Sequence, residues 1–166
     1  MKLEVCDDFL PREIFDTLDN NIASSDSFPW YFSSSDYSVG QYQFIHNVYN
    51  VRQGGVMSDY FSLFHPILEK LKIRKLDRIK INFNPRTFFH KRGPWHIDNN
   101  PHDPYQHTKT AILYLNTNNG WTEFKKHGRV KSKLNRIALF DSPIVHRKVF
   151  CTDKAKRVIV NFNYDV

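Results

Sequence analysis

RIKINFN, residues 78–84, decides the fold. Ile79, Ile81 and Phe83 fall on one side of an extended chain and Lys80, Asn82 and Asn84 on the other, the period of two that marks a strand. The same texture returns in TAILYLN (110–116), RIALF (136–140) and RVIVNFNY (157–164), with turn-forming stretches such as NTNNG (116–120) between them. Several short strands spaced this way predict a β-sandwich or barrel-like roll. The aromatic content of 15%, led by 14 Phe and 8 Tyr, agrees, because such side chains suit a pleated, half-buried surface.

Upstream of this stretch the period changes. From Pro11 to about Ala23, Ile14, Phe15, Leu18 and Ile22 recur at helical spacing, which predicts one amphipathic helix. A second is expected in SDYFSLFHPILEKLK (58–72), capped by Ser58 or Asp59 and burying Phe61, Phe64, Ile67, Leu68 and Leu71. Pro66 demands a kink or a later start. Residues 24–40, SSDSFPWYFSSSDYSVG, have no clear period and read as a loop with at most an edge strand. The chain of 166 residues is long enough for one core and short for two. We therefore expect one domain, with a helical portion over about 1–76 and a β-rich portion over about 77–166.

Composition closes off several classes. The first ten residues carry an acidic pair where a signal peptide needs an apolar core, and 18 apolar residues never run together. The expectation is a cytoplasmic protein with no membrane partner. Cys6 and Cys151 form no C-x-x-C pair and are expected as free thiols. The net charge of +7 is spread over IRKLDRIK, FKKHGRVKSK and DKAKR. A solvated basic surface is the simpler account, and nucleic acid is the alternative partner that the charge suggests. There is no Walker loop, G-x-S-x-G, G-x-G-x-x-G or H-E-x-x-H.

His96 and Asp98 stand two residues apart, so an extended segment points both to one side. His146, just past RIALF and the turn at Ser142 and Pro143, is the candidate third ligand. Two imidazoles and a carboxylate on one face of an octahedral ion leave the opposite positions open, the arrangement of non-haem Fe(II) oxygenases. His-x-Asp alone is short enough to arise by chance as loop decoration. Eleven residues after His146 comes Arg157, whose guanidinium can fork onto a carboxylate, with Ile159 and Asn161 on its face. Tyr114 offers a phenol for the same carboxylate. Taken singly, Arg157 also reads as a strand-end surface residue and Tyr114 as a core aromatic.

WHIDNN (95–100), TAILYLNTNNGWTEF (110–124), VKSKLNRIALFDSPIVHR (130–147) and KRVIVNFNY (156–164), in this order, resemble the 2-oxoglutarate and Fe(II)-dependent oxygenases. Within them the prolyl 4-hydroxylase-like branch and its small bacteriophage-encoded members are the most similar. The resemblance covers about residues 78–164, and the opening VCDDFLPREIF (5–15) is similar too. It implies a mainly β fold with flanking helices, a double-stranded β-helix (jelly roll) with the N-terminal helices packed on one sheet. It implies that His96, Asp98 and His146 hold Fe(II), and that Arg157, with Tyr114, binds the distal carboxylate of 2-oxoglutarate. Where many relatives carry a tyrosine, this chain has Asn84, an amide of shorter reach for the co-substrate.

The implied reaction consumes 2-oxoglutarate and dioxygen and hydroxylates a C–H bond, with a prolyl residue of a protein or peptide as the leading substrate. Arg86, Phe88, Trp95 and His102 are the expected lining of the substrate cleft. His90 precedes the metal motif, and His46, His65, His107 and His127 read as structural or solvent-facing. A small-molecule substrate is also open. Three rivals stand beside this reading: oxidation of nucleic-acid bases, a catalytically silent binding module on the same roll, and a hydrolytic zinc site. An uncharged prolyl ring predicts weak salt dependence, whereas phosphate contacts predict a steep one. A phage origin would place the protein in the host cytoplasm.

Overall fold

The alternating stretches form the middle of a large antiparallel sheet. The computed structural model describes residues 2–33, 42–98 and 107–166. In chain order the first part holds β1 (Leu3–Cys6), α1 (Arg12–Asn21), β2 (Tyr31–Ser33), β3 (Gln43–Asn50) and β4 (Gly55–Val56). A 3-10 segment, Asp59–Phe64, then runs into α2 (His65–Lys70). There follow β5 (Lys75–Pro85), β6 (Lys109–Tyr114), β7 (Trp121–Phe124), β8 (Gly128–Lys131), β9 (Arg136–Asp141), β10 (His146–Val149) and β11 (Lys156–Asp165). Among the described residues one sheet has eight strands in the order β1-β9-β6-β11-β5-β3-β2, with β4 beside β3. The other has three, β10-β7-β8.

Alternation along each central strand divides the side chains between two cores. Ile79, Ile81, Ala111, Leu113, Val158, Val160 and Phe162 face Phe15, Leu18 and Ile22 of the first helical region and Phe64, Ile67 and Leu71 of the second. Ile112, Tyr114, Ala138, Phe140 and Ile159 face the small sheet through Phe124 and Val130. Burying one such apolar side chain fully stabilises the fold by roughly 1.5–3 kcal/mol. The result is a mainly β jelly roll with helices on the outside of one sheet. No helix among the described residues is long and apolar enough to cross a membrane.

Three local differences from the sequence reading have physical causes. Ser58 does cap, accepting from the Tyr60 amide, but the turn that it caps is 3-10, and α2 begins only at His65. Pro66 thus sits in a first turn, where its missing N–H leaves no bond unmade. The first 76 residues are also less helical than their periodicity predicts, since β1, β2, β3 and β4 lie there. β3 escapes a period-two pattern because its register on β5 shifts between Asn47 and Tyr49, a bulge that resets the alternation. β2 is the edge strand expected in the 24–40 stretch, pairing with β3 alone.

Candidate metal centre

His146 opens β10, and His96 lies opposite it in an isolated antiparallel bridge. The two residues exchange both backbone hydrogen bonds, at 3.0 Å each, so their side chains emerge on the same face with ring centroids 4.4 Å apart. The Asp98 carboxylate lies 3.7 Å from His96 Nε2 and 3.8 Å from His146 Nε2. All three candidate ligand atoms fall within 4.8 Å of one another. Two ligands each about 2 Å from one ion span at most roughly 4 Å, which modest side-chain rotation reaches from here.

The tautomers also suit a metal. His96 Nδ1 bonds the Pro94 carbonyl at 3.2 Å and His146 Nδ1 the Ile144 carbonyl at 2.9 Å. Each ring therefore holds its proton on Nδ1 and turns the Nε2 lone pair toward Asp98. Partial burial, with His146 close by, draws His96 below its ordinary pKa and favours the neutral imidazole. Burial alone would raise the Asp98 carboxyl, but its neighbours His146 and Arg78 outweigh it and hold the group below the usual carboxylate range. Neutral imidazole and carboxylate are the forms that bind a cation.

Asp98 is held from behind. Asn163 Nδ2 reaches Asp98 Oδ2 at 3.4 Å and Thr110 Oγ1 at 3.1 Å, while its Oδ1 accepts from Arg78 Nε at 3.0 Å. Asn163 is fully buried on β11, facing the interior between the sheets.

Beside the triad a cavity is lined by Gln43, Asn82, Asn84, Ile112, Thr122, Lys148, Ile159 and Asn161 as well as His96 and His146. Arg157 lies behind this wall, fully buried. Its Nε donates to Ser132 Oγ at 2.9 Å, Nη2 to Thr122 Oγ1 at 3.0 Å and Nη1 to Asn84 Oδ1 at a long 3.3 Å. No carboxylate among the described residues bonds it. Burial pulls the guanidinium below its ordinary pKa, yet an arginine remains a cation near neutrality. Tyr114, also fully buried, donates to the same Thr122 Oγ1 at 2.8 Å and its ring lies 5.5 Å from the guanidinium carbon.

The arginine needs Gly120. A Cβ there would meet Arg157 Cδ, Asn118 Oδ1 and the Val149 carbonyl, each at 2.9 Å. Asn84 contributes an acceptor to the arginine, and its amide N–H is directed 3.4 Å away to Gln43 Oε1.

The expected substrate residues separate. Arg86 and Phe88 line an open cleft with Tyr42, Phe89, Lys91 and Phe150. Trp95 lies elsewhere, with the Arg147 guanidinium 4.0 Å above its ring, and His102 is outside the described residues. His90 is tied to the Phe150 carbonyl at 2.9 Å and packs on Trp121. His46 bonds Pro29 O and Ser58 Oγ, a structural role as expected. Sequence reasoning passed over Thr122, Lys148, Asn163 and Arg78. For Lys148 a signal existed, since it stands two residues after His146 and alternation aims both the same way.

No family model and no curated protein matches the chain. Solved structures do. The chain is similar to the viral collagen prolyl hydroxylase of Paramecium Bursaria Chlorella virus-1 in its 2OG complex, at 15% identity and TM-score 0.68, covering 100% of this chain and 97% of that one. A Pseudomonas putida prolyl-4-hydroxylase matches at 15% identity and TM-score 0.63, over 99% of this chain and 92% of that one. An oxidoreductase of the 2OG-Fe(II) oxygenase family from Burkholderia pseudomallei matches at 10% and TM-score 0.72, over 98% and 84%. Likeness at these identities is likeness of fold: the chain has the jelly-roll fold of the 2-oxoglutarate and Fe(II)-dependent oxygenases.

Proposed function

We propose that this protein is a 2-oxoglutarate- and Fe(II)-dependent oxygenase that hydroxylates a C–H bond of a prolyl residue in a protein or peptide. The observation that carries the reading is Arg157. A fully buried guanidinium bonded only to the neutral groups Ser132, Thr122 and Asn84 is a cation whose charge no described carboxylate answers. It lies one side chain behind the cavity that the candidate metal ligands line. A dicarboxylate co-substrate supplies the missing charge, and a buried cation gains most from such a partner.

In this reading His96, Asp98 and His146 hold the metal on one face. Arg157 and the hydroxyls of Thr122 and Tyr114 take the distal carboxylate. Asn161 Oδ1, buried in the cavity wall without a hydrogen-bond partner among the described residues, is a further acceptor for a bound donor. Together with 2-oxoglutarate and dioxygen, the metal supplies the oxidising power for hydroxylation, with succinate and carbon dioxide as co-products. The chain's own contribution is to fix ligand geometry and to orient the C–H group. The prolyl substrate is supported by what two of the similar structures are named for.

Succinate release, measured with anaerobically loaded Fe(II) against proline-containing peptides and oligonucleotides, tests this. We expect succinate with peptides and one added oxygen on the peptide by mass spectrometry. Succinate release stimulated by oligonucleotides alone replaces the prolyl substrate with a nucleic acid. Metal binding without any turnover leaves the silent binding module.

A further inference from the structure

Two recesses adjoin the triad, and the wall between them is built of amides. The inner cavity, about 60 Å³, reaches toward Arg157 through Asn84 and Thr122, both of which bond that guanidinium. The outer recess, about 430 Å³, has Pro94, Ile97 and Asp98 in its lining. They share three residues, Asn82, His96 and Asn161. With the inner cavity leading to the co-substrate arginine, the roomier recess is left for the substrate, and Asn82 and Asn161 stand where the two meet beside a metal ligand. The sheet sets them side by side. Ile159 pairs with Asn82 and Asn161 with Lys80 across β11 and β5, so Asn82 and Asn161 are diagonal neighbours on one face.

Neither amide is answered within the chain. Asn161 Oδ1 is cut off from water and has no hydrogen-bond partner among the described residues. Asn82 is 7% exposed, and its side chain makes no hydrogen bond among the described residues. Buried polar groups of this kind lose free energy unless a bound molecule answers them. An oxygen needs a donor, and 2-oxoglutarate with both carboxylates ionised offers acceptors alone. A prolyl ring offers no donor either, since its nitrogen carries no hydrogen. The nearest main-chain N–H to that ring belongs to the next residue. In an extended chain the N–H and C=O of one residue point to the same side, where an amide oxygen and an amide N–H standing together meet both. A flipped nucleobase also carries donors, but it is held by stacking between aromatic or apolar side chains, and no Phe, Tyr or Trp lines either recess among the described residues.

We infer that Asn161 and Asn82 are substrate-positioning residues that grip the residue following the reacting proline: Asn161 Oδ1 accepts its main-chain N–H, and the Asn82 amide donates to its carbonyl. The inference rests on the oxygenase reading above and deepens it, naming how a substrate without a donor on its reacting ring is fixed beside the metal. It makes the peptide group after the proline a specificity element, so that a tertiary or ester linkage at that point is refused.

Fluorescence anisotropy with the Mn(II)-loaded protein and 2-oxoglutarate tests this on a labelled Ser-Pro-Ala repeat peptide and on its analogue with each alanine replaced by lactate, an ester that lacks only that N–H. The ester is expected to bind about fivefold or more weakly, the cost of leaving a buried acceptor unanswered. Asn161→Leu should bind both peptides with the weaker affinity, and Asn82→Leu should weaken both while the amide stays preferred, with melting temperatures reported to show that each variant folds. Equal affinity of the wild type for amide and ester overturns the inference, as does an undiminished preference in Asn161→Leu. So does a loss of 2-oxoglutarate affinity in peptide-free Asn161→Leu, which would assign the amide to the co-substrate. Binding of neither peptide, or tighter binding of an oligothymidylate, overturns it together with the prolyl substrate. Peptide-free 2-oxoglutarate decarboxylation with Fe(II), on the same preparation, checks the oxygenase reading separately.

Discussion

Arg157 carries a full charge where water cannot reach it, so its neighbours decide what it is for. Thr122 Oγ1 receives both its Nη2–H and the Tyr114 hydroxyl, and all three converge behind the cavity wall. Losing one partner of a buried charge pair costs on the order of 2–5 kcal/mol. Arg157→Ala is therefore expected to raise the 2-oxoglutarate concentration at half-maximal succinate release at least tenfold, by about 1.4 kcal/mol or more. Arg157→Lys should not restore it, since one ammonium cannot fork onto a carboxylate, and Tyr114→Phe should do less damage than either. An unchanged 2-oxoglutarate dependence in Arg157→Ala would put the carboxylate elsewhere. At the metal, Asp98→Ala or His146→Ala should abolish succinate formation. Asn163→Leu removes the amide behind Asp98 and the acceptor for Arg78, and should weaken Mn(II) affinity about 10–100-fold, the usual range for such supporting groups. Titration calorimetry reads it directly, and a wild-type affinity in the variant would mean that Asn163 does not hold Asp98.

Strands bring these residues together, and turns keep them in place. β11 lies between β5 and β6, with Arg157 opposite Asn84 and Ile159 opposite Tyr114, so alternation sends Arg157, Ile159, Asn161 and Asn163 inward while Val158, Val160 and Phe162 meet the helices. Gly120, just ahead of β7, leaves the space that the arginine's stem fills. Gly120→Ala should reproduce much of the Arg157→Ala loss in 2-oxoglutarate affinity without touching a ligand, since the obstruction includes backbone at Val149. Phe162→Ala, by contrast, opens a void against Phe64 and should cost stability, roughly 3–5 kcal/mol in denaturant unfolding, with the site chemistry intact in what remains folded. The elements legible beforehand were those whose signal is local: β5, β6, β9 and β11 through alternation, α1 through its apolar spacing, and the pair His96 and Asp98 through their separation of two. β10 reads HRKV, too short and too polar to register, although it carries His146 and Lys148. Thr122, Asn163 and Arg78 were not legible because their roles depend on contacts across strands. Arg78 and Asn163, for instance, touch only because β5 and β11 pair in one register.

At the scale of the whole molecule, a buried polar cluster joins the turn after β3 to β5 and to the segment ahead of β6. Arg52, in the turn after β3, donates through Nη1 to both oxygens of Asp77 at 3.0 Å, and His107, ahead of β6, places Nδ1 3.4 Å from Asp77 Oδ2. Asp77 and His107 are 3% and 2% exposed, so this carboxylate has little water to fall back on. Burial alone would raise the Asp77 pKa, but His107 beside it and the hydrogen bonds from Arg52 outweigh it and hold the group below its ordinary value. Between that lowered value and the ordinary aspartate value of about 3.9, the unfolded chain binds a proton that the folded chain does not, so stability rises with pH across this window. The contribution is complete above the ordinary value and is lost as pH falls through the folded one. Metal-free protein, titrated with acid in the presence of chelator, should therefore unfold with a limb that Asp77→Asn removes. At neutral pH the same variant should lose on the order of 1–3 kcal/mol, the cost of setting an amide N–H against a buried donor in place of one carboxylate oxygen. Far-ultraviolet circular dichroism against pH, for the parent and the variant, measures both, and matching acid limbs would assign the acid sensitivity to other carboxylates, such as Asp7 between Arg136 and Lys133.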